Sequence, residues 1–454
     1  MPTSSSLMRR RKGWSPPPAM QSDGPTEDVV VLKEPVYRLN SVDEEANQAM
    51  DMGDYDKALY LRMQAMALAK LCLGDPGSSV VGYEDLLPKA HLNISRTYHD
   101  MMYADQACWH AQKAMEQCDP RRGGESSSSL LVSTLLALAK AMLQKGDFNC
   151  VDYLQRAVLI NHDLHGNEHR SNAEIYEAFA DFYIHRGDLN FEAKDDKPAR
   201  VQTKLPDQTS QYDAEEMSIL DYQKIDDYEK AMQELHKAWE VIEQSKKRIK
   251  GDLNDVKQPQ SVHSLLGPIY AKMARTRFKQ ERFPEASQHY EQAIAAHCAT
   301  SFMNESAIAQ LNFELGVTYH KQKKYEESIR VLDKAAKFCE EHRDVGGYHP
   351  LTMHMMQQQG ITLYDAGDLL AAKNVFEDLM NLQRAQYGGG SIAVAESLRY
   401  LGDISIASKN TTEACGYYKR ALKILRKRLG SSDETVKQLV QYIRQLNVQA
   451  ATAS

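Results

Sequence analysis

From about Ser41 to the end of the chain, apolar and small residues recur at helical spacing, and the arrangement itself repeats. A small residue stands at Ala46, Ser95, Ala139, Ala180, Ala274, Gly316, Gly360 and Gly402. About seven residues later comes a turn signal, at Gly53, Gly146, Gly187 and Gly367, with Lys323 and Lys409 in equivalent places. A second helical stretch follows, with small residues at Ala58, Ala107, Ala231, Ala286, Ser328, Ala372 and Ala414. One more small position comes at Ala65, Ala114, Ala238, Ala293, Ala335 and Ala421. Small residues let two helices lie close, and large ones between them, such as Tyr290, Phe376 and Tyr418, fill the gaps. The pattern predicts an all-α, right-handed superhelical solenoid of about eight helix pairs, each too small to bury its apolar face alone.

The interruptions are as informative as the period. Anchors at 139 and 180, and from 274 through 316 and 360 to 402, lie 41 to 44 residues apart. Between Ala180 and Ala274 the gap widens to 94. The first helix of that fourth copy is expected to end at Gly187-Asp188, and its partner begins only at Asp227-Tyr228. Residues 190–226 are therefore an acidic insertion, broken at Pro198 and Pro206, with a short helix near Ala214–Lys224. Such an insertion is either a specificity loop on one face or a tolerated extension. The third copy is one residue short between Phe148 and Ala157. Residues 1–40 are rich in Ser and Pro and predict a disordered tail. Residues 41–447 form the solenoid, ending in a capping helix after Leu429-Gly430, with a tail over 448–454.

Composition narrows the function classes. Hydrophobic residues make up 42% and charged residues 26%, as in folded water-soluble domains. A net charge of -7 creates no field that would draw in nucleic acid. No apolar run reaches the length of a membrane span, so membrane insertion is not expected. The basic run Arg9–Lys12 has no apolar stretch after it, unlike a secretory leader. Seven scattered cysteines without a Cys-x-x-Cys pair read as reduced thiols, which suits the cytoplasm. Nucleotide loops, His-Glu-x-x-His and nucleophile elbows are missing, so neither an enzyme nor a cofactor is expected. The spacing of His162, His165 and His169 fits no zinc pattern, and Cys339 with His342 supplies only two ligands.

The linkers carry a resemblance to a known family. They read Leu73-Gly74-Asp75-Pro76, Gly166-Asn167-Glu168-His169, His349-Pro350, Tyr387-Gly388 and Leu429-Gly430. With the long period and the stretch Ala421 to Gly430, the chain resembles tetratricopeptide-repeat proteins of the kinesin-light-chain type, which join repeats through Leu-Gly-x-x-His-Pro loops. The resemblance spans roughly residues 41–445. Two departures separate it from a kinesin light chain itself. No long heptad coiled coil lies in the 40 residues ahead of the repeats. The asparagine ladder of that family is represented by Asn93 but broken at Leu136-Ala137, Glu314 and Gln358.

The resemblance implies a non-enzymatic scaffold for other proteins. The leading expectation is a structural or assembly component of a ciliary, axonemal or other microtubule-associated complex, with tubulin or ciliary subunits as partners. The alternative is a soluble cargo or signalling adaptor that holds short acidic peptides. Candidate groove residues on the first helices are Lys89, Asn93, Arg96, His99, Lys140, Arg275, Lys279, His320 and Lys321, set against Glu174, Glu177 and Asp181, so the groove is mixed in charge. A second basic cluster, Lys419, Arg420, Lys423, Arg426, Lys427 and Arg428, suits contact with an acidic surface or is the wet side of an outer helix.

Overall fold

A helix must stop before its chain can turn back, and the same device stops seven first helices here. Each ends in a residue with positive φ, seven positions after the small anchor: Gly53, Met102, Gly146, Glu281, Lys323, Gly367 and Lys409. At Lys323, the backbone N–H donates to His320 and the next N–H, of Lys324, donates to Tyr319, both at 2.9 Å. The same two bonds recur at the other six turns, satisfying carbonyls that the helix end leaves unpaired. Four of the seven residues are not glycine, although a side chain raises the energy of the left-handed region. The paired bonds fix the backbone firmly enough to hold them there.

The structure, a computed structural model, describes residues 35–73, 85–122, 127–192, 227–251, 259–300, 305–341 and 350–453. Two compact units are present, Met1–Tyr83 and Glu84–Ser454, where the repeat pattern alone predicts one continuous array. The expected tail (but for 35–40) and nearly all of the expected insertion, including Ala214–Lys224, lie outside the described residues.

The first unit is one helix pair, α1 (Pro35–Asp51) and α2 (Tyr55–Leu73). Helix begins at Pro35 rather than Ser41, because proline is tolerated in the first turn, where no N–H partner is needed. Ala46, Ala49, Ala58, Ala65 and Ala69 are buried along the seam between the two helices.

The second unit contains seven pairs and a terminal helix. The pairs are α3 (Leu86–Asp100) with α4 (Ala104–Cys118), and α5 (Ser128–Gln144) with α6 (Cys150–His165). Next come α7 (Asn172–Glu192) with α8 (Asp227–Gly251), and α9 (Pro259–Lys279) with α10 (Phe283–Cys298). Then follow α11 (Glu305–Lys321) with α12 (Tyr325–Glu341), and α13 (Pro350–Ala366) with α14 (Leu369–Tyr387). Last are α15 (Ile392–Ala407) with α16 (Thr411–Leu429), covered by α17 (Glu434–Ala453). Every described residue is helical or in a short connection, and no strand is present among them. The cap runs to Ala453, so the expected tail after 447 is helical. Val436, Leu439, Ile443 and Leu446 place its apolar stripe on the cluster that holds Phe376 and Tyr418.

The small anchors do what their size suggests. A Cβ built on Gly402 would lie 2.6 Å from the Tyr418 ring, and one on Gly360 would lie 2.7 Å from Phe376. On Gly316 it would meet Leu332 at 2.7 Å. Each large residue sits sixteen positions after its glycine, one repeat of the same knob in the same hole. Hydroxyls at these positions cross the seam instead: Ser95 Oγ donates to the Ala107 carbonyl at 2.8 Å, and Ser328 Oγ to that of Gly316 at 2.7 Å. In the third pair, Cys150 and Ala157 are fully buried one position early, so the missing residue lies in the turn after Gly146.

The fourth pair departs from the expected break at Gly187-Asp188. Helix α7 continues to Glu192, and Gly187 has no positive φ. Its lack of a side chain serves packing, since a Cβ there would lie 2.9 Å from the Tyr228 ring. The two ends of the intervening segment are clamped. Arg186 pairs with Asp227, and Tyr228 donates its hydroxyl to Asp188 Oδ1 at 2.8 Å.

Two outcomes follow for stability, both read from urea midpoints. Lys323→Gly and Lys409→Gly each raise stability by about 0.5–1 kcal/mol, and Gly367→Ala lowers it by about 1 kcal/mol. Equal, unfavourable effects of all three would mean that the left-handed turns are not what stops the helices. Gly360→Ala costs roughly 1–3 kcal/mol by overpacking. Its cost shrinks when Phe376→Leu is already present, and a strictly additive pair would contradict the opposition of these two residues.

Candidate functional site

Charge on the first helices is arranged from helix to helix. On α5, Lys140 Nζ lies 2.7 Å from Glu174 Oε1 of α7. From α9, Lys272 Nζ reaches Asp181 Oδ2 at 2.9 Å and Glu177 Oε2 at 3.2 Å, and Lys279 reaches Asp188 at 2.5 Å. Arg275 makes a two-pronged contact with Glu314 of α11, at 2.8 and 2.9 Å. His320 Nε2 stands 3.4 Å from Asp365 of α13. Burial lowers the pKa of His320 more than Asp365 raises it, so the imidazole is neutral at pH 7. Lys140, Lys272, Lys279 and Arg275 thus form a ladder of ion pairs tying neighbouring first helices together, which neutral His320 extends by a polar contact.

At its centre, two carboxylates share one ammonium. Burial depresses the pKa of Lys272, but Asp181 and Glu177 reverse this and hold it above the usual range. Burial, aided by Asp181, keeps the Glu177 carboxyl above its usual value even beside Lys272. Lys272 is not among the nine candidate groove residues. It lies three residues before Arg275 and seven before Lys279, on the same helical face, and that spacing was the available signal.

The nine candidate groove residues do not form one site. Arg96, His99 and Lys140 come together with Ser133 and Glu174 around a cleft of about 230 Å³ between α3, α5 and α7. Exposed Lys89 and half-buried Asn93 lie further back along α3, the backbone carbonyl of Asn93 accepting from Thr97 at 3.1 Å. Arg275 and Lys279 belong to the ladder, and His320 and exposed Lys321 stand at the end of α11. A groove of free cations is therefore not what these positions build: Lys140, Arg275 and Lys279 already hold carboxylates, because acidic residues occupy the facing positions of a neighbouring first helix.

The second basic cluster has a different character. Lys419, Lys423, Arg426 and Lys427 flank Leu422 on one face of α16, around an open cleft of about 370 Å³. All six cations of this cluster are exposed. Arg420 stacks over Tyr417, 6.0 Å from the ring centre, and Arg428 donates to the Gly390 carbonyl at 2.7 Å. Among the described residues, Lys419, Arg420, Lys423, Arg426 and Lys427 have no carboxylate partner within 4 Å. Arg426, Lys427 and Arg428 also fall in the last turn, where they complement the helix dipole.

The histidines have local partners. His162 Nε2 bonds the Tyr176 hydroxyl at 3.2 Å, His169 Nδ1 bonds Ser171 Oγ at 2.7 Å, and His165 stacks on His169. Among the described residues no group of three or more potential ligands could hold a metal, and no helix is long and apolar enough to cross a membrane.

Lys272→Met leaves Glu177 and Asp181 without their cation and costs about 1–3 kcal/mol in urea unfolding. Adding Glu177→Gln returns part of that loss. An unchanged midpoint for Lys272→Met would show that water, not Lys272, satisfies the two carboxylates.

Comparison with known proteins places this geometry. The tetratricopeptide-repeat family profile matches residues 305–385 and 352–427, the stretch from α11 to α16. No curated protein sequence matches the chain. A signal-transduction ATPase with a tetratricopeptide repeat sensor from Pyrococcus horikoshii has the same fold at 12% identity and a TM-score of 0.52, over 92% of this chain and 56% of that one. The apo form of RapI is similar at 8% identity and a TM-score of 0.52, over 91% of this chain and 98% of its own. Repeats of a putative kinesin light chain from Podosopora anserina align at 12% identity over 68% of this chain and 99% of theirs, with a TM-score of 0.30. The tetratricopeptide-repeat family profile thus falls on α11 to α16, and the pairs before them repeat the same small-residue seams and turns.

Proposed function

We propose that this protein is a non-enzymatic scaffold that docks on acidic protein surfaces through α16. The observation that carries the reading is the contrast between its two sets of cations. Those on the first helices are largely satisfied by the chain's own carboxylates, so an acidic ligand would have to break existing pairs to bind there. Those on α16 are exposed, of one sign and without such partners, and they retain their full attraction for an external anion. An acidic lattice such as a microtubule matches that stripe. The family resemblance extends the reading to a cytoskeletal place in a ciliary or axonemal complex.

A second reading has its own support. The cleft at Arg96, His99 and Ser133 could hold the acidic end of a short peptide, with Lys140 exchanging Glu174 for the ligand, in a soluble adaptor.

Co-sedimentation with polymerised tubulin tests the first reading. The wild-type chain pellets at low salt and less so at high salt, because exposed charge is screened. The triple variant Lys423→Glu, Arg426→Glu, Lys427→Glu binds at least about tenfold more weakly, at roughly 0.5–1 kcal/mol per exposed contact. No pelleting, or pelleting that the triple variant and salt leave untouched, would remove the α16 reading. Loss of binding on Arg96→Glu instead would favour the cleft.

A further inference from the structure

One cleft in the second unit owes its character to departures from the repeat. It encloses about 560 Å³ between α12, α13 and α14, and Met355, Met356, Val375 and Leu382 give it apolar walls. Counted from the small anchors, Ala336 in its lining stands where the groove of α10, α11 and α12 has Ile294 and that of α14, α15 and α16 has Met380. Thr352 stands where those grooves have Ile308 and Val394, and Ala385 where the second has Lys427. Smaller side chains at one junction make room there. The Thr352 hydroxyl is buried with no nitrogen or oxygen partner, only the sulfur of Cys339, as in a site left underfilled.

The same comparison shows a reversal of charge. Eighteen positions after the anchor, three successive pairs carry Lys334, Asp378 and Arg420. Asp378 lines the cleft and is exposed. Among the described residues no lysine, arginine or histidine lines the cleft, and Asp378 has no cation within 4 Å. Gln359, also in the lining, donates to Asp333 at 2.8 Å and so brings a second carboxylate near. Apolar walls with a carboxylate at their edge fit an apolar side chain accompanied by a cation. The methionines adapt to the shape of what enters. On α14, Val375, Asp378, Leu382 and Ala385 follow i, i+3, i+7, i+10, so one face about 15 Å long borders the cleft. An extended segment covers that length in about five residues.

We propose that this cleft docks a short segment of a partner protein in which a leucine, methionine or phenylalanine stands close to a lysine or arginine. The apolar side chain enters between α12 and α14, and the cation pairs with Asp378. This site does not rest on the α16 reading, since the basic stripe of α16 repels such a segment.

Selection of a phage library of random dodecapeptides on the full-length chain tests it. The expected winners carry an apolar residue close to a lysine or arginine. A fluorescein-labelled synthetic winner binds the wild-type chain, and Asp378→Lys, which installs the charge of the neighbouring pairs, weakens it on the order of tenfold, equivalent to about 1.4 kcal/mol. Ala336→Ile with Thr352→Ile, which fills the cleft with the residues of the α10–α12 groove, weakens it at least as much. Circular dichroism of both variants stays unchanged, and the triple glutamate variant of α16 binds the peptide as the wild type does. No enriched sequence, winners without a basic residue, binding indifferent to Asp378→Lys, or binding lost in the α16 variant would each overturn the proposal.

Discussion

The approach of two helices to within the thickness of a missing side chain is the constraint on which the rest of this protein depends. At Gly316, Gly360 and Gly402 there is no room for a Cβ, because a leucine, a phenylalanine and a tyrosine from the second helix fill that space. Contact this close sets which faces of the two helices look inward. That in turn fixes which residues of each pair meet the next pair, and which are left to water. The left-handed turn seven residues on completes the constraint, since it sends the second helix back at the one angle that places the ring opposite the glycine.

Once the seams are fixed, the charged positions inherit their neighbours. First helices lie side by side, so Lys140, Lys272, Arg275 and Lys279 face acidic residues of the adjacent pair. Individually these ion pairs contribute little where they are exposed. Together they occupy the cations that an incoming acidic ligand would need. Helix α16 lies outside this ladder: its inward face is given to Ala414, Tyr418, Ala421 and Leu425, and among the described residues Lys419, Arg420, Lys423, Arg426 and Lys427 on its outward face have no carboxylate partner.

Much of the frame was legible in the sequence, because packing by small residues leaves a compositional trace. The anchors, the helix pairs, the shortened third copy and the cap all followed from it. Met102 and Glu281 were not legible as turn residues, since two backbone hydrogen bonds hold them in the left-handed region and no residue type announces that. Gly187 was misread for the converse reason. Glycine serves both turns and close approaches, and only the Tyr228 ring decides between them here. The ion-pair ladder was out of reach because it joins residues up to 91 positions apart across an insertion, and spacing within one helix says nothing of the facing helix.

The proposed binding surface is α16 rather than the faces of the first helices. Amide hydrogen exchange of the full-length chain, with and without polymerised tubulin, measures that choice most directly. The account predicts added protection over residues 411–429, with residues 86–100 and 128–144 unchanged. Protection confined to 86–100 and 128–144 would contradict it.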